Sequence, residues 1–411
     1  MPENEIIVGL DVGTTKICAL VGEVDASGGV QILGVGQSVS EGLRKGVVID
    51  LDAAHRNIRS AVDEASRATG VEINAVVVGV TGEHVTSVTS RGTVTITHAS
   101  REITEADVNR ALDNARSVTV PVGREIIHIL PRGFVVDGQD GVRQPVGMSG
   151  GKLEVEAHVV TGSSSFIQNV LKSVTLAGLH VDSVVLEPIA TSEAVLSDAE
   201  KEMGVIVADI GGGTTDLAVV INGSIIHSAV IPVGGNHVTG DLAVGLKTTR
   251  DEAERLKKDF GCALVSMVSD NDLVEVRTLD GDRSRSVLRV ALADIIEPRM
   301  QELFHLIRDD LGRHGYQHAL SSLVLSGGGS LLHGAPELAH AVLGLPTRIG
   351  RPRNLVGQVE GIDSPIFATA VGLLYFGAAR QVRVKEQTST RRFLGSALEQ
   401  LRQWLLRFFG G

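Results

Sequence analysis

Short apolar runs separated by glycine-rich or polar turns fill the first 80 residues of the chain. Residues 6–10, 16–24 and 30–35 alternate with turns as the strands of a meander do, and residues 75–80 form a further apolar strand. Between them, the pattern predicts a helix over residues 50–70. The chain therefore begins as a mixed α/β unit.

Strands and helices alternate in a similar way after residue 200. The pattern predicts strands at residues 205–210 and 322–325, and helices at residues 249–261, 293–311 and 365–378. The second half of the chain thus has the same α/β character as the first.

The region between these halves, residues 84–162, has a different texture. Short alternating strands at residues 93–97 and 154–160 surround one helix, which Thr104 caps with Asp107 three residues further on. We expect a small α+β insert.

One turn occurs twice in the chain. From Val8 to Val21 the sequence reads VGLDVGTTKICALV, and from Val207 to Val220 it reads VADIGGGTTDLAVV. Backbone N–H groups and hydroxyls at such a bend form a concave set of donors that binds phosphate, and an Asp at the strand end can hold hydrated Mg²⁺. Two copies predict two phosphate clamps that grip a triphosphate from both sides of a cleft.

A third glycine cluster and one helix add candidate ligand contacts. Residues 322–330 run from a strand into Gly327, Gly328 and Gly329, where backbone can approach a ligand closely. Glu254, Lys257 and Lys258 share one helix face, although an isolated Glu-x-x-Lys is usually a solvated pair. The glycine loops favour a binding role for this face.

Composition narrows the classes of function. The chain has 411 residues, a net charge of −11 and 3% aromatic residues, so we expect no nucleic-acid partner. Cys18 and Cys262 have no metal or redox spacing, which favours a reducing cytoplasm. His314 and His318 are four residues apart, but no third ligand is evident, so we predict no zinc site there.

The chain ends in an apolar stripe with helical spacing. From residue 380 onward there are seven Arg or Lys and two Glu, whereas the whole chain is acidic. Residues 381–391 read as a polar linker, and residues 392–409 predict an amphipathic helix. The alternatives are a helix docked on the protein's own core and an interfacial membrane helix, which the basic flank favours. The predicted membrane-binding residues are Phe393, Leu394, Leu398, Leu401, Trp404, Leu405, Phe408 and Phe409 on the apolar face, with Arg402 and Arg407 beside it.

These motifs resemble those of the actin and heat-shock-chaperone ATPase superfamily. Asp11–Lys16 is similar to its first phosphate loop, Asp209–Asp216 to its second, and Leu325–Gly329 to its adenosine loop. Glu187–Ala190 and Ala368–Leu373 resemble its two connecting segments. The resemblance implies an α/β, duplicated ribonuclease-H-like two-domain fold with ATP between the halves.

The resemblance also implies roles for individual residues. Asp11 and Asp209 would hold Mg²⁺ through waters, and Lys16 would neutralise phosphate charge. Glu187 stands where relatives orient the attacking water, although a plain helix-end carboxylate beside Pro188 is an equal alternative, so hydrolysis stays open. The implied ATP-binding residues are Asp11, Gly13, Thr14, Thr15, Lys16, Asp209, Gly211, Gly212, Gly213, Thr214, Thr215, Gly234, Gly235, Asn236, Glu254, Lys257, Lys258, Gly327, Gly328 and Gly329.

Within the superfamily, the chain resembles the FtsA family of bacterial cell-division proteins. The insert, the segment at residues 295–300 and the amphipathic tail carry this likeness. It implies a filament-forming protein that tethers the tubulin-like FtsZ to the cytoplasmic face of the inner membrane at the division site. Implied partners are the FtsZ C-terminal tail, near Arg299, anionic membrane lipid, further copies of the chain and other membrane proteins of the divisome.

The same resemblance implies a division into subdomains. We expect IA at residues 1–83, 163–196 and 359–380, IC at 84–162, IIA at 197–233 and 306–358, IIB at 234–305, a linker at 381–391 and the membrane helix at 392–409.

Two alternative functions share these motifs. A sugar kinase or polyphosphate phosphatase of the superfamily would need a catalytic base over a second substrate and would gain nothing from a lipid-seeking tail. An FtsA-like scaffold of a pilus or secretion machine keeps the ATP motifs, but the tail and the segment at residues 295–300 disfavour it.

Overall fold

The computed structural model describes residues 5–25, 28–117, 120–279, 283–357 and 359–381. In chain order, the strands are β1 (Glu5–Val12), β2 (Lys16–Val24), β3 (Val30–Val39), β4 (Leu43–Arg44), β5 (Val47–Val48), β6 (Ala75–Val80), β7 (Thr86–Thr95), β8 (Arg124–Val136), β9 (Gln139–Val142), β10 (Lys152–Ser163), β11 (His180–Leu186), β12 (Val205–Ile210), β13 (Thr215–Ile221), β14 (Ser224–Ile231), β15 (Leu273–Arg277), β16 (Ser284–Leu288), β17 (Ser322–Ser326) and β18 (Thr347–Ile349). The helices are α1 (Leu51–Thr69), α2 (Glu105–Ala115), α3 (Ser164–Leu176), α4 (Glu187–Val195), α5 (Asp198–Met203), α6 (Gly235–Gly245), α7 (Arg250–Phe260), α8 (Arg289–Arg313), α9 (Ala335–Leu343) and α10 (368–381).

Two five-stranded sheets share one strand order and form the cores of two lobes. Lobe I has the order β3-β2-β1-β6-β11, and lobe II has β14-β13-β12-β17-β18. In each lobe the first three strands form an antiparallel meander, and the fourth and fifth strands add in parallel. This repetition confirms the predicted duplicated, actin-like fold.

The inserted unit is a separate antiparallel sheet packed against α2. Its strand order is β7-β10-β8-β9. The predicted cap of α2 is confirmed, because Thr104 accepts from the Asp107 N–H and Asp107 accepts from the Thr104 N–H at 2.9 Å. The sheet rests against the edge strand of lobe II, where Ser87 Oγ donates to the Ser228 carbonyl at 3.1 Å and the hydroxyl of Ser228 lies 2.9 Å from His158 Nε2. On the other side, the Leu186 N–H of lobe I donates to His128 Nε2 of β8 at 3.0 Å, so the insert contacts both lobes.

Local signals set the ends of α1 as predicted. Asp50 accepts from the Ala53 N–H at 3.0 Å, and Gly70 ends the helix with φ 72°, a left-handed conformation that glycine adopts without strain. A face of small and aliphatic residues then buries α1 against lobe I. Capping and the period of apolar residues thus specify this helix almost by themselves.

Helices α4 and α10 join the lobes through close backbone contact. A β carbon at Gly372 would lie 1.8 Å from the Ala190 carbonyl, so only glycine fits there. One buried cluster continues from lobe I through both helices to Val207 and Val324 of lobe II. This packing fixes how the two sheets face each other.

Helix α10 includes residue 381, the first residue of the predicted linker. The rest of that linker and the predicted membrane helix at 392–409 lie outside the described residues. Among the helices within the described ranges, none has both the length and the apolar character that crossing a membrane requires.

Candidate functional site

The two repeated hairpins meet tip to tip between the lobes. A β carbon at Gly212 would lie 1.8 Å from Thr15 Oγ1, and one at Gly213 would lie 2.8 Å from Thr14 Oγ1. Glycine is therefore required at the second tip because the first occupies the space that a side chain would need. The two turns that resemble each other in sequence form opposite walls of one cavity.

This cavity has a volume of about 320 Å³, which lies within the range of small-molecule sites. Most of the predicted site residues line it. Those residues are Asp11, Gly13, Thr14, Thr15, Lys16, Glu187, Asp209, Gly211, Gly212, Gly213, Thr214, Gly235, Asn236, Glu254, Lys257, Lys258, Gly327, Gly328 and Gly329.

Two of the predicted ATP-binding residues lie behind the cavity wall and do not line it. Thr215 is fully buried, and its hydroxyl donates to the Val233 carbonyl at 2.8 Å. Gly234 packs against the back of the second hairpin, where a β carbon would lie 2.6 Å from the Gly211 carbonyl. Both residues support the turn from behind.

The register of the hairpins explains why Thr215 points away. Asp11 pairs with Cys18 across the first hairpin, and Asp209 pairs with Asp216 across the second. Both loops have equal length, so Thr214 corresponds to Lys16 in register. The pair Thr14–Thr15 therefore corresponds in structure to Gly212–Gly213. The pair Thr214–Thr215 lies two residues further along, although the two Thr-Thr pairs look equivalent in the sequence.

Sequence analysis missed five residues that line the cavity: Thr81, Asp216, Pro365, Ile366 and Thr369. Asp216 was visible as the second acid of the repeat. The others carry no local signal, because β6, the start of α10 and the hairpins converge only in the folded chain.

Asp209 is held by hydroxyls from the two connecting helices. Thr191 of α4 donates to its Oδ2 at 2.6 Å, and Thr369 of α10 donates to the same oxygen at 2.9 Å. Burial raises the pKa of Asp209, while these two hydrogen bonds and the charge of Lys16 act in the opposite direction. Gly327, with φ 74°, allows the third glycine loop to pass beside Oδ1 of this carboxylate.

Two further acids approach the same end of the cavity from different elements. Burial raises the pKa of Asp11 to about 6, with Lys16 lowering it and Asp209 raising it. Burial also raises the pKa of Asp216 to about 7, although Thr81 of lobe I donates a hydrogen bond to its carboxylate across the cleft. Asp216 therefore joins the two lobes.

Glu187 begins α4 and carries a buried oxygen that lacks a hydrogen-bond partner within the described part of the chain. Burial raises the pKa of Glu187 well above its usual range, and Asp11, Asp216 and Asp209 raise it further. Four carboxylic acids thus converge where Lys16 supplies positive charge. Such a donor set suits a hydrated divalent cation, which would satisfy the orphaned oxygen and lower these pKa values.

Lys16 is positioned by the turn Pro365–Phe367, which comes directly before α10. Its Nζ donates to the Ile366 carbonyl at 2.8 Å and lies 4.4 Å from the centroid of the Phe367 ring. The ammonium is thereby directed along the cavity wall between the first hairpin and the connecting helix.

The opposite end of the cavity is formed by α6 and α7. Lys257 Nζ donates to the Gly235 carbonyl at 3.1 Å and to Glu254 Oε2 at 2.7 Å. Lys258 Nζ lies 3.3 Å from Glu254 Oε1. The first turn of α6 also donates backbone N–H groups to the carbonyls of Gly211 and Gly212, which holds the second hairpin in place.

The predicted partner residue Arg299 lies on α8, away from the residues that line the cavity. Its guanidinium forms a forked ion pair with Asp241, with N–O distances of 2.6 and 3.1 Å, and a further ion pair with Glu302. The side chain of Arg299 is 29% exposed.

The two lobes and their shared strand order define a protein with an actin-like fold. Among solved structures, the PilM–PilN type IV pilus biogenesis complex has a TM-score of 0.65 at 19% identity, covering 90% of this chain and 98% of that chain. MreB5 of Spiroplasma citri bound to ADP has a TM-score of 0.54 at 15% identity, covering 93% and 99%. These likenesses show the fold alone.

The sequence comparisons define the family. A family model described as Cell division protein FtsA matches residues 206–372, and one described as SHS2 domain inserted in FTSA matches residues 82–161. The cell division protein FtsA of Pseudomonas aeruginosa is 40% identical over 98% of both chains, and that of Escherichia coli K12 is 36% identical over 99% of both. The chain belongs to the FtsA family of cell division proteins.

Proposed function

We propose that this chain binds ATP with Mg²⁺ between its lobes, assembles with further copies into filaments, and tethers FtsZ filaments to the cytoplasmic face of the inner membrane at the division site. The proposal of nucleotide binding depends on one observation: two hairpins that resemble phosphate-binding loops meet in one cavity beside four carboxylic acids. Membership in a family of cell division proteins supports the cellular role.

The phosphate end of the cavity suits a triphosphate and its metal. Residues of both tips line this end of the cavity, and Lys16 adds positive charge. Asp11 and Asp209 would hold Mg²⁺ through waters, and the metal would neutralise phosphate charge. One oxygen of Glu187 has no hydrogen-bond partner among the residues that the structure describes, which suits a water-orienting role. A purely structural carboxylate is the alternative, so the proposal covers binding rather than turnover.

The nucleoside end is assigned to the glycine loop and α7. Gly327, Gly328 and Gly329 let backbone approach a flat base, and Glu254 offers an acceptor for ribose hydroxyls. Lys257 and Lys258 hold that carboxylate in place through ion pairs. Burial lowers the pKa of Lys257, while its pairing with Glu254 opposes that shift.

Membrane attachment is assigned to the amphipathic segment at residues 392–409. Each Arg near anionic lipid contributes about 1 kcal/mol, and buried apolar side chains add to this, less the cost of ordering the helix. One tail therefore binds reversibly. Several tails on one filament bind far more tightly, since each later tail attaches at high effective concentration.

Contact with FtsZ is assigned to the region around Arg299. The partly exposed Arg299 side chain can pair with an acidic group of the FtsZ C-terminal tail while Asp241 keeps it oriented. Arg299→Ala should weaken binding of that tail, whereas Arg308→Ala, on the same helix and 49% exposed, should not. Equal binding by both variants would count against this contact.

A liposome co-sedimentation assay tests the tethering proposal. The full chain and a chain ending at Arg391 are mixed with anionic or zwitterionic vesicles, with and without ATP and FtsZ. Full-length protein should carry FtsZ to anionic vesicles, whereas the truncated chain should stay in the supernatant with unchanged ATP affinity. Leu401→Glu, on the apolar face, should reduce sedimentation more than Gln403→Glu, which adds the same charge off that face.

Two alternative functions give different results in simple assays. A small-molecule kinase or phosphatase would transfer phosphate to or from a second substrate, so a screen with sugars and polyphosphate distinguishes it. A pilus or secretion scaffold would keep nucleotide binding but fail to retain FtsZ in a pull-down.

A further inference from the structure

Away from the cavity, three side chains with metal-ligand chemistry converge at the edge of lobe II. His227 lies on β14, Asp310 lies in the last turn of α8, and His314 caps the same helix. One ring nitrogen of each histidine and one carboxylate oxygen lie within 4.8 Å of one another.

The geometry points to a binding site for a borderline divalent cation such as Zn²⁺, with His227, Asp310 and His314 as its protein ligands. Two imidazoles and a carboxylate form a ligand set that zinc accepts, and three protein ligands leave a fourth position for water. Harder cations such as Mg²⁺ prefer sites made only of oxygen ligands.

Each histidine lies beside a different oxygen of the Asp310 carboxylate. His227 Nε2 lies 2.7 Å from Asp310 Oδ2, whereas His314 Nδ1 lies 3.6 Å from Asp310 Oδ1 and 2.9 Å from the Asp310 carbonyl, a contact that an ion at Nδ1 would replace. Two ligands of a tetrahedral zinc ion are separated by about 3.3 Å, given bond lengths of about 2.0–2.1 Å. The His227–Asp310 pair therefore needs to open by less than about 1 Å for an ion to replace the hydrogen bond between them.

The supporting structure holds these ligands on rigid elements. Asp310 and His314 are four residues apart, which places them on one helix face, and the two histidine rings lie with centroids 4.2 Å apart at an interplanar angle of 35°. Tyr316 packs against His227 at 5.5 Å, and its hydroxyl donates to the Ile226 carbonyl at 3.4 Å. These contacts limit how far either ring can turn away.

The solvent exposure of His314 and the weakly held Arg313 also favour an ion that can exchange with solvent. The side chains of His227 and Asp310 are 8% and 10% exposed, whereas that of His314 is 46% exposed and opens the site to solvent. Arg313 lies 3.4 Å from Asp310 Oδ1, but its side chain is 71% exposed and can leave without losing packing. A cation can therefore enter past His314 and displace Arg313.

A competition titration tests the site with the full chain. After removal of metal by dialysis against a chelator, the protein is titrated with Zn²⁺ against a chromophoric chelator, and separately with Co²⁺ to follow visible d–d absorption. His314→Ala and His227→Gln each remove one ligand, and Gln at position 227 keeps a donor toward Asp310. His318→Ala removes an exposed histidine four residues from His314 and serves as the matched control.

The unmodified chain and His318→Ala should each bind one equivalent of Zn²⁺. His314→Ala and His227→Gln should bind it at least about tenfold more weakly, because even the loss of a residue that only supports a metal ligand costs about 10–100-fold in affinity. These two variants should also lose the tetrahedral Co²⁺ absorption spectrum. Equal stoichiometry and affinity in all four proteins would overturn the site, as would no binding by the unmodified chain. If His227→Gln does not fold, the exposed His314→Ala decides the question by itself.

Discussion

Lobe I and lobe II present the same hairpin to the cavity with different chemistry behind it. Asp11 and Asp209 occupy equivalent positions, and each is the acid that precedes a glycine turn. Asp11 is paired across its hairpin with Cys18, a buried thiol whose pKa burial raises to about 12. Asp209 is paired with a second acid, Asp216, which reaches across to Thr81 of lobe I.

This difference shows how a duplicated fold acquires two unequal halves. The first hairpin supplies the positive charge of Lys16, whereas the second supplies an additional carboxylate. The second tip consists of glycines, because the threonines of the first tip fill the space beside it. The two hairpins therefore contribute different groups to one site. We expect that exchanging these groups between the hairpins would weaken ligand binding.

The largest effect is expected from filling the contact between the tips. In Gly212→Ala, the new β carbon would lie 1.8 Å from Thr15 Oγ1, so the lobes must separate. Overpacking of about 1–3 kcal/mol corresponds to a loss of nucleotide affinity of about 5- to 150-fold. Isothermal titration with ATP and Mg²⁺ measures the loss. Gly240→Ala, on α6 with open space around it, is the control, and equal affinities would refute tip-to-tip packing.

The second prediction concerns the extra acid of lobe II. Burial raises the pKa of Asp216 to about 7 from its ordinary 3.8, so the folded chain holds a proton that the unfolded chain has released. The metal-free protein should therefore lose stability as pH rises from about 4 to about 7. Asp216→Asn stays neutral and keeps an acceptor for Thr81, so it should be about 1–3 kcal/mol more stable than the parent at pH 8 and similar at pH 4.

Urea denaturation at both pH values in the presence of EDTA measures this difference. Asp309→Asn, which changes an exposed acid of α8, should leave the pH dependence unchanged. An identical pH profile for the parent and Asp216→Asn would mean that Asp216 is ionised in the folded chain.

A smaller effect is expected from the hydroxyls that distinguish Asp209 from Asp11. Thr369→Val removes one of the two hydroxyl donors to Asp209 Oδ2, and Thr191→Val removes the other. Each loss of about 1 kcal/mol should weaken Mg²⁺-dependent nucleotide binding about fivefold. Binding without Mg²⁺ should hardly change. If the weakening is the same with and without Mg²⁺, the hydroxyls do not act through a metal-binding carboxylate.

The smallest effect is expected from a test of the register difference between the hairpins, which gives Thr214 and Thr215 different roles. Thr215→Val removes a buried hydrogen bond to Val233 and should lower the free energy of unfolding by about 1 kcal/mol, with nucleotide affinity unchanged. Thr214→Val should instead lower affinity severalfold, and because Thr214 Oγ1 donates to Asp216 at 3.3 Å it should also lower the free energy of unfolding by about 1 kcal/mol. Paired measurements of thermal unfolding and ATP binding distinguish these outcomes, and the reverse pattern would invalidate the register assignment.

Local signals in the sequence determined a large part of this protein. Strands β2, β6 and β12, the ends of α1 and the capping box of α2 follow from apolar periodicity and capping residues, which act over a few positions along the chain. The repeated glycine turns also indicated most of the cavity, because close backbone approach requires glycine wherever the turn lies in the fold.

Only the tertiary structure decided which side chains of those turns face the cavity and which residues lie across the cavity from them. The sheet register sent Thr215 into the core and Asp216 into the cleft, and packing of α10 brought Thr369 to Asp209. The tertiary structure likewise places His227 beside Asp310, which lies 83 positions further along the chain. Such meetings depend on the packing of whole sheets and helices, so no spacing within the sequence records them.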